Sequence, residues 1–177
     1  MDVNVEKFFP VSVDDFFDNV DDIINLSKKL KYHTPENANW PGLRTHSLHN
    51  THYDLFNSVI MKILYYYYPN KELRYSNSSV IFSRLKHGDQ GKTRFHVDDD
   101  SKIAAVIYLS EGDIEGGTTI FENNNKNKKQ VIVGNTFNSM IAYDGNRRHG
   151  YTSLLPFNSK ERLTLNVFIG DILENDK

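Results

Sequence analysis

A histidine two residues before an acid is the smallest pattern in this chain that could hold a metal. It occurs three times: His52-Tyr53-Asp54, His87-Gly88-Asp89 and His96-Val97-Asp98. With 7 His and 23 acidic residues in 177 positions, random placement gives about one such triplet, so the pattern alone decides nothing. Geometry discriminates. Along a strand, residues i and i+2 point to one face, so a His and an Asp can reach one ion. On a helix the same two positions diverge. His52 and Asp54 fall in the first turns of an expected helix. His87 and Asp89 fall in His-Gly-Asp-Gln-Gly-Lys, a loop with no fixed period. His96 and Asp98 follow Thr93-Arg94-Phe95, which can be extended, and precede a strong strand, so they fit best.

A facial triad of two His and one carboxylate leaves positions open for a bidentate oxoacid and O₂, which suits iron oxygenation chemistry. His149 is the candidate third ligand, because it follows the turn Asp144-Gly145-Asn146 and a strand expected at 136–143. Beside Arg147 and Arg148 it also reads as a surface histidine. The chain has no cysteine, which excludes disulfides, zinc–thiolate sites, iron–sulfur clusters and a cysteine nucleophile. Any metal must therefore sit on His, Asp or Glu.

Two neutral imidazoles and one carboxylate leave a divalent ion with net positive charge, which favours an anionic co-substrate. Its far end needs a cation. Arg162 stands in the apolar strand Glu161-Arg162-Leu163-Thr164-Leu165-Asn166-Val167-Phe168, where a buried guanidinium requires a partner. A guanidinium grips a carboxylate in a planar fork. Thr164, two residues on, shares its face and can add a hydroxyl. Tyr108 shares the parity of Ala104 and Val106; it also reads as a core aromatic with a wet tip.

The elements that must position these residues follow from patterning. Ser12-Val13-Asp14-Asp15 reads as a helix start, with Phe16, Phe17, Val20, Ile23, Ile24, Leu26 and Leu30 at helical spacing and an end near Tyr32. Residues 33–50 read as a loop. A second helix begins near Thr51 and stops before Pro69. Strands are expected at 79–86, 102–109, 117–121, 130–133, 136–143 and 162–170, with a polar hairpin tip at Asn123–Lys129. Two helices followed by many short strands predict a mainly β protein, a double-stranded β-helix (jelly-roll) with two helices packed against it. The expectation is a single domain over 1–177, with a helical N-terminal part at about 12–68 and the jelly-roll at about 79–171.

The composition, 38% hydrophobic and 25% charged, is ordinary for a folded domain and argues against disorder. A net charge of -2 supplies no excess positive field, so general nucleic-acid binding is not expected. Met1–Glu6 is acidic and lacks an apolar run, and no stretch approaches the roughly 20 apolar residues of a membrane span. The expectation is a soluble cytoplasmic protein without a signal peptide and without membrane association.

His96-Val97-Asp98, then Ala105-Val106-Ile107-Tyr108-Leu109-Ser110, then Gly116-Gly117-Thr118-Thr119-Ile120-Phe121, then His149 and Arg162-Leu163-Thr164 together resemble the Fe(II)/2-oxoglutarate-dependent dioxygenases of the prolyl-hydroxylase-like group. The resemblance covers roughly residues 80–170. It implies that His96, Asp98 and His149 bind Fe(II). It also implies that Arg162 grips the distal carboxylate of 2-oxoglutarate, with Tyr108 hydrogen-bonding the same group. The implied reaction consumes 2-oxoglutarate and O₂, releases succinate and CO₂, and hydroxylates a prolyl or other amino-acid side chain or a small metabolite. Ascorbate is a compatible further cofactor. Some members carry a second pocket Tyr on the strand before the triad, where Phe82-Ser83-Arg84-Leu85-Lys86 has none. The residue completing the pocket beyond Tyr108 is therefore left open. Trp40 and Arg44, in Trp40-Pro41-Gly42-Leu43-Arg44, are candidate substrate contacts, since Trp and Arg are common anchors; the same segment also reads as a loop that merely packs on the barrel. Two other functions remain: a non-catalytic jelly-roll binding module, and a metal-dependent oxygenase that does not use 2-oxoglutarate.

Overall fold

The computed structural model describes residues 10–34, 41–86, 89, 95–112, 116–122, 130–152 and 161–174. Three readings lie outside them: Trp40 as a substrate contact, the rejection of His87 as a ligand, and the polar tip at Asn123–Lys129.

The strands are β1 (Val11–Val13), β2 (Leu43–Arg44), β3 (Leu73–Ser76), β4 (Ser79–Lys86), β5 (Phe95–His96), β6 (Ile103–Tyr108), β7 (Thr118–Phe121), β8 (Gln130–Val133), β9 (Met140–Asp144), β10 (His149–Tyr151), β11 (Glu161–Ile169) and β12 (Asp171–Glu174). The helices are α1 (Val20–Lys29) and α2 (Tyr53–Tyr67), with a 3-10 turn at Leu48–Asn50 between β2 and α2. A six-stranded antiparallel sheet runs β1-β9-β6-β11-β4-β2, and a four-stranded sheet runs β5-β10-β7-β8. This is the expected mainly β, two-sheet jelly-roll with helices packed on it.

Alternation along the large sheet gives it two working faces. Leu163, Leu165, Val167 and Ile169 of β11 join Ile103, Ala105 and Ile107 of β6 in one apolar cluster with Phe56, Ile60, Ile63 and Leu64 of α2. Each of those side chains is 7% exposed or less, and burying one contributes about 1.5–3 kcal/mol. The opposite parity carries Ala104 and Tyr108 of β6, with Ile141 and Tyr143 of β9, into a second, smaller cluster with Ile120 of β7. Phe168 of β11 packs against it, so this face looks toward the small sheet. The helices thus anchor one side of the sheet, and the chemistry occupies the other.

Several expected elements differ. Ser12 does not cap a helix: it sits in β1, opposite Ile141 of β9. The helix begins only at Val20, after Asn19, while Phe16 and Phe17 are buried before it. The cause is tertiary. Phe16 N–H donates to Asn138 O at 2.8 Å and Phe17 N–H to Asn138 Oδ1 at 3.0 Å, which straps this segment to the sheet before any helix can start. Asn138, in a left-handed turn at φ 56°, also starts β9 at Met140 rather than at 136. The expected loop 33–50 contains β2, and the N-terminal part expected as helical thus lends two strands to the large sheet. β3, β5, β10 and β12 are too short to show a period, and pairing alone defines them. Among the described residues no helix is long and apolar enough to cross a membrane.

Candidate active site

His96 ends β5 and His149 begins β10, and the two stand directly opposite in the antiparallel ladder. Residues opposed in this way project to one face, and the two rings lie 4.3 Å apart. Asp98 is not on the strand, contrary to the i, i+2 expectation. It lies just past β5, where its N–H donates to Gly145 O at 3.0 Å and its own carbonyl accepts from Ser101 N–H at 2.9 Å. Gly145 belongs to the turn that leads into β10. A Cβ on Gly145 would stand 2.1 Å from Ser101 O, so only glycine lets the two segments meet this closely. The β9–β10 turn therefore positions both His149 and Asp98.

One ligand atom from each of His96, Asp98 and His149 falls within 4.8 Å of the others. His52, by contrast, is the residue that precedes α2, with Asp54 in its first turn, far from strand geometry. His149 Nδ1 lies 2.8 Å from Arg147 O, so Nδ1–H donates to that carbonyl and Nε2 is the nitrogen turned to the acid. Nε2 stands 3.2 Å from Asp98 Oδ2. Oδ2 is buried and has no hydrogen-bond partner among the described residues. His96 Nε2 is 3.5 Å from Asp98 Oδ1. Burial first, then the neighbouring His149, pushes the His96 pKa down to about 3 against the pull of Asp98, so this ring is neutral at ordinary pH. Two imidazoles and a carboxylate converge on one point, a set of donors that suits a divalent cation.

The same cavity, about 490 Å³ with its open mouth, is lined by these three residues and by Arg162, Arg44, Thr118, Tyr143, Tyr151, Asn166 and Phe168, among others. Arg162 is 5% exposed. Its Nε donates to Gly116 O at 2.6 Å, and its guanidinium lies 5.3 Å from the Tyr108 ring centre and 5.8 Å from that of Tyr151. Thr164 stands opposite Tyr108 in the β11–β6 ladder, and its buried hydroxyl has no hydrogen-bond partner among the described residues. The Tyr108 hydroxyl is 2.7 Å from Thr118 Oγ1.

Sequence reasoning missed Thr118, Tyr143 and Tyr151. Tyr143, on β9, packs 4.7 Å from the His149 ring and lines the cavity. Burial, with Asp98 and Tyr108 adding to it, drives its pKa well above the usual tyrosine value. Burial also raises Tyr151, against the pull of Arg162 and Arg44. Both phenols thus stay protonated and remain donors. The period-2 pattern Met140-Ile141-Ala142-Tyr143 held the signal for Tyr143: it shares its parity with Ile141, on the face away from the helices. Arg44 lines the cavity; Trp40 lies outside the described residues.

The fold is one shared with solved 2-oxoglutarate-Fe(II) oxygenases. An oxidoreductase of that family from Burkholderia pseudomallei shares the fold with a TM-score of 0.66 at 12% identity, over 91% of this chain and 84% of that one. A prolyl-4-hydroxylase from Pseudomonas putida does so with a TM-score of 0.59 at 17% identity, over 91% of each chain. HygX from Streptomyces hygroscopicus, solved with nickel and 2-oxoglutarate bound, matches with a TM-score of 0.65 at 12% identity, over 91% and 82%. By sequence, the model of a family of unknown function, DUF6445, matches residues 3–134, and the chain belongs to that family. A sequence comparison with curated proteins finds no match.

Proposed function

We propose that the chain is an Fe(II)- and 2-oxoglutarate-dependent oxygenase that hydroxylates an amino-acid side chain, prolyl included, or a small metabolite. The observation that supports this most is that one cavity is lined both by the converging His96, Asp98 and His149 and by a buried guanidinium, Arg162. A metal site alone needs no second cation; a metal-chelating dicarboxylate does.

His96, Asp98 and His149 would hold the metal, and the donor set fits: two imidazoles and a carboxylate oxygen with no hydrogen-bond partner among the described residues. When bound, Fe(II) with 2-oxoglutarate and O₂ supplies the oxidising chemistry, with succinate and CO₂ as co-products. The chain's own residues bind and orient. Arg162 takes the distal carboxylate by the guanidinium edge not turned to Gly116. Thr164 offers a hydroxyl proton that no described residue takes, and Thr118 holds the Tyr108 hydroxyl in place. Val106, Ala104 and Phe168 make an apolar stretch of wall that keeps water from competing for these donors.

The test is an anaerobic titration of the protein with Mn(II) and then 2-oxoglutarate, followed by succinate release with Fe(II) in air. Tight 2-oxoglutarate binding that requires the metal, together with succinate release, supports the oxygenase. Metal binding without 2-oxoglutarate binding leaves an oxygenase of another kind, and binding of neither leaves a non-catalytic module.

A further inference from the structure

One amide in the cavity wall serves neither the metal nor the oxoacid. On the cavity face of β11, Arg162, Thr164, Asn166 and Phe168 follow one another at every second position. Residues opposed across antiparallel strands project to the same face. Arg44 of β2, Ser83 of β4, Thr164 and Tyr108 therefore form one row across four strands. Two rows along, Phe168 stands opposite Ala104 and Ala104 opposite Tyr143, the residue packed on the His149 ring. Asn166 occupies the row between them, with Ile81 on one side and Val106 on the other. About 14 Å of strand separates it from Arg162, in the direction of the row that meets His149.

The two polar atoms of Asn166 differ in what they have to bond. Nδ2 donates to Ser83 Oγ at 3.0 Å, which fixes the plane of the amide. Oδ1 is buried and has no hydrogen-bond partner among the described residues. Thr164 Oγ1, the neighbouring hydroxyl on this face of the strand, is unpartnered as well, so the two do not bond each other. Ile81 and Val106 have no proton to give. A carbonyl oxygen left in this way costs about 1–3 kcal/mol, and a valine or leucine at the position would avoid the cost.

The oxoacid does not relieve it. A 2-oxoglutarate dianion offers acceptor oxygens alone, and O₂ carries no proton, so either one beside Oδ1 sets acceptor against acceptor. The missing donor belongs to the substrate. An ammonium there would be desolvated between Ile81 and Val106 with only a neutral oxygen to face. A hydroxyl turns to whichever acceptor is best, the oxoacid included, whereas an amide N–H has a fixed direction that a fixed acceptor can select.

Resting on the oxygenase reading, we propose that Asn166 is a substrate-positioning residue whose Oδ1 accepts a hydrogen bond from a neutral amide N–H of the substrate, close to the carbon that is oxidised. The N–H is that of a peptide backbone or of an acylated small molecule. The chemistry at Asn166 is the same, and the probes separate the sources.

The experiment is calorimetry on the whole chain loaded with Mn(II) and saturating 2-oxoglutarate under argon. The probes are matched pairs in which one amide N–H becomes an ester oxygen, a change that removes the donor and adds no bulk. They are N-acetyl-L-leucine methylamide with the methyl ester, the same pair built on L-proline, short peptides with their single-ester analogues, and N-acylated amines with the matching esters. In at least one pair the amide should bind about tenfold or more tightly than its ester. Asn166→Leu, which keeps the volume and removes the acceptor, should bring that pair to within about twofold. Asn166→Asp, which keeps an acceptor oxygen, should retain the preference. Mn(II) affinity serves as the control for folding in both variants. With Fe(II) in air, the preferred amide should stimulate succinate release more than its ester. A panel in which no amide exceeds its ester overturns the inference. So does an Asn166→Leu protein that keeps the preference, or one that weakens amide and ester alike, which would reduce Asn166 to a brace for Ser83. An Asn166→Leu protein that loses 2-oxoglutarate as severely as Arg162→Met also overturns it, because the amide would then present Nδ2 to the co-substrate. Wild-type protein that binds Mn(II) but no 2-oxoglutarate is the separate failure, that of the oxygenase reading itself, and removes this inference with it.

Discussion

Replacing Arg162 with methionine should pull function and stability apart. The side chain is 5% exposed, and among the described residues no carboxylate stands within ion-pair distance of it. Its fixed partner is the Gly116 carbonyl, at 2.6 Å. In the free protein, then, Arg162→Met would remove a desolvated cation, a change that is often neutral or stabilising by about 1–4 kcal/mol when the volume is kept. It would also orphan one carbonyl, at about 1–3 kcal/mol. The two nearly cancel, so the melting temperature of the free protein should move by no more than a few degrees. The oxoacid complex has no such compensation. A carboxylate left buried without its partner loses about 3–5 kcal/mol, which at 1.4 kcal/mol per decade is roughly two to three and a half decades in affinity.

Thermal melting with Mn(II), with and without 2-oxoglutarate, reads both quantities at once. At a hundred times its dissociation constant the oxoacid should stabilise wild-type protein by about 2.7 kcal/mol. For a domain of this size that is a rise of roughly 5–10 °C. The same concentration should leave the Arg162→Met protein unshifted, and Arg162→Lys should fall between. The reverse pattern, a large loss of free-protein stability with the 2-oxoglutarate shift intact, would show that Arg162 merely braces Gly116 and would refute the argument.

Other expectations follow from the site and the straps around it. His96→Ala should abolish Mn(II) binding by calorimetry, whereas His52→Ala, before α2, should leave it within about twofold; equal losses would discredit the choice of triplet. Gly145→Ala must push a Cβ away from Ser101 O and so displace the carbonyl that holds Asp98 N–H. Metal affinity should fall about tenfold or more, with a melting loss of several degrees. Wild-type affinity in a folded variant would count against the turn as the element that places Asp98. Asn138→Ala removes both side-chain hydrogen bonds to Phe17 and leaves a β-carbon residue at φ 56°, for a combined loss of about 2–4 kcal/mol by urea unfolding. Asn138→Gly, free of the backbone term, should lose less, and equal losses would locate the whole effect in the hydrogen bonds.

The longest elements of the fold were legible in the sequence because they have enough length to show a period. β4 falls where expected, at 79–86, and α2 within two residues of its expected start; the short β8, at 130–133, was marked by the polar segment before it. β11 alternates over nine residues, so the separation of Leu163, Leu165 and Val167 from Arg162, Thr164 and Asn166 could be read without a structure. β1 could not. Ser-Val-Asp-Asp has the chemistry of a helix cap, and only the antiparallel partner Met140–Ala142 turns Ser12 into a strand residue. Local propensity was outweighed by an edge that needed covering.

At the site, residue type was legible and register was not. His96, Asp98 and His149 stand out by what their side chains can donate, and the structure brings them within reach of one ion. Strand alternation is an incomplete reason for Asp98, because the strand ends at His96 and a carbonyl of Gly145 aims the carboxylate instead. Tyr151 and Thr118 were invisible for a related reason: each is an ordinary strand residue until the two sheets face one another, and for Tyr143 alternation marked the face but not the role. Arg44 is the sharpest case. Its strand is two residues long, preceded by a glycine at positive φ, and no period of any kind marks it. Its position in the row with Ser83, Thr164 and Tyr108 depends on two registers, β2 on β4 and β4 on β11, and a slip of one residue in either would turn the guanidinium to the helix side. A cation on that side would face Phe82, Leu163 and Leu165, an apolar layer with nothing to pair it. The same penalty that keeps Arg44 out of the core therefore fixes the register that delivers it to the cavity.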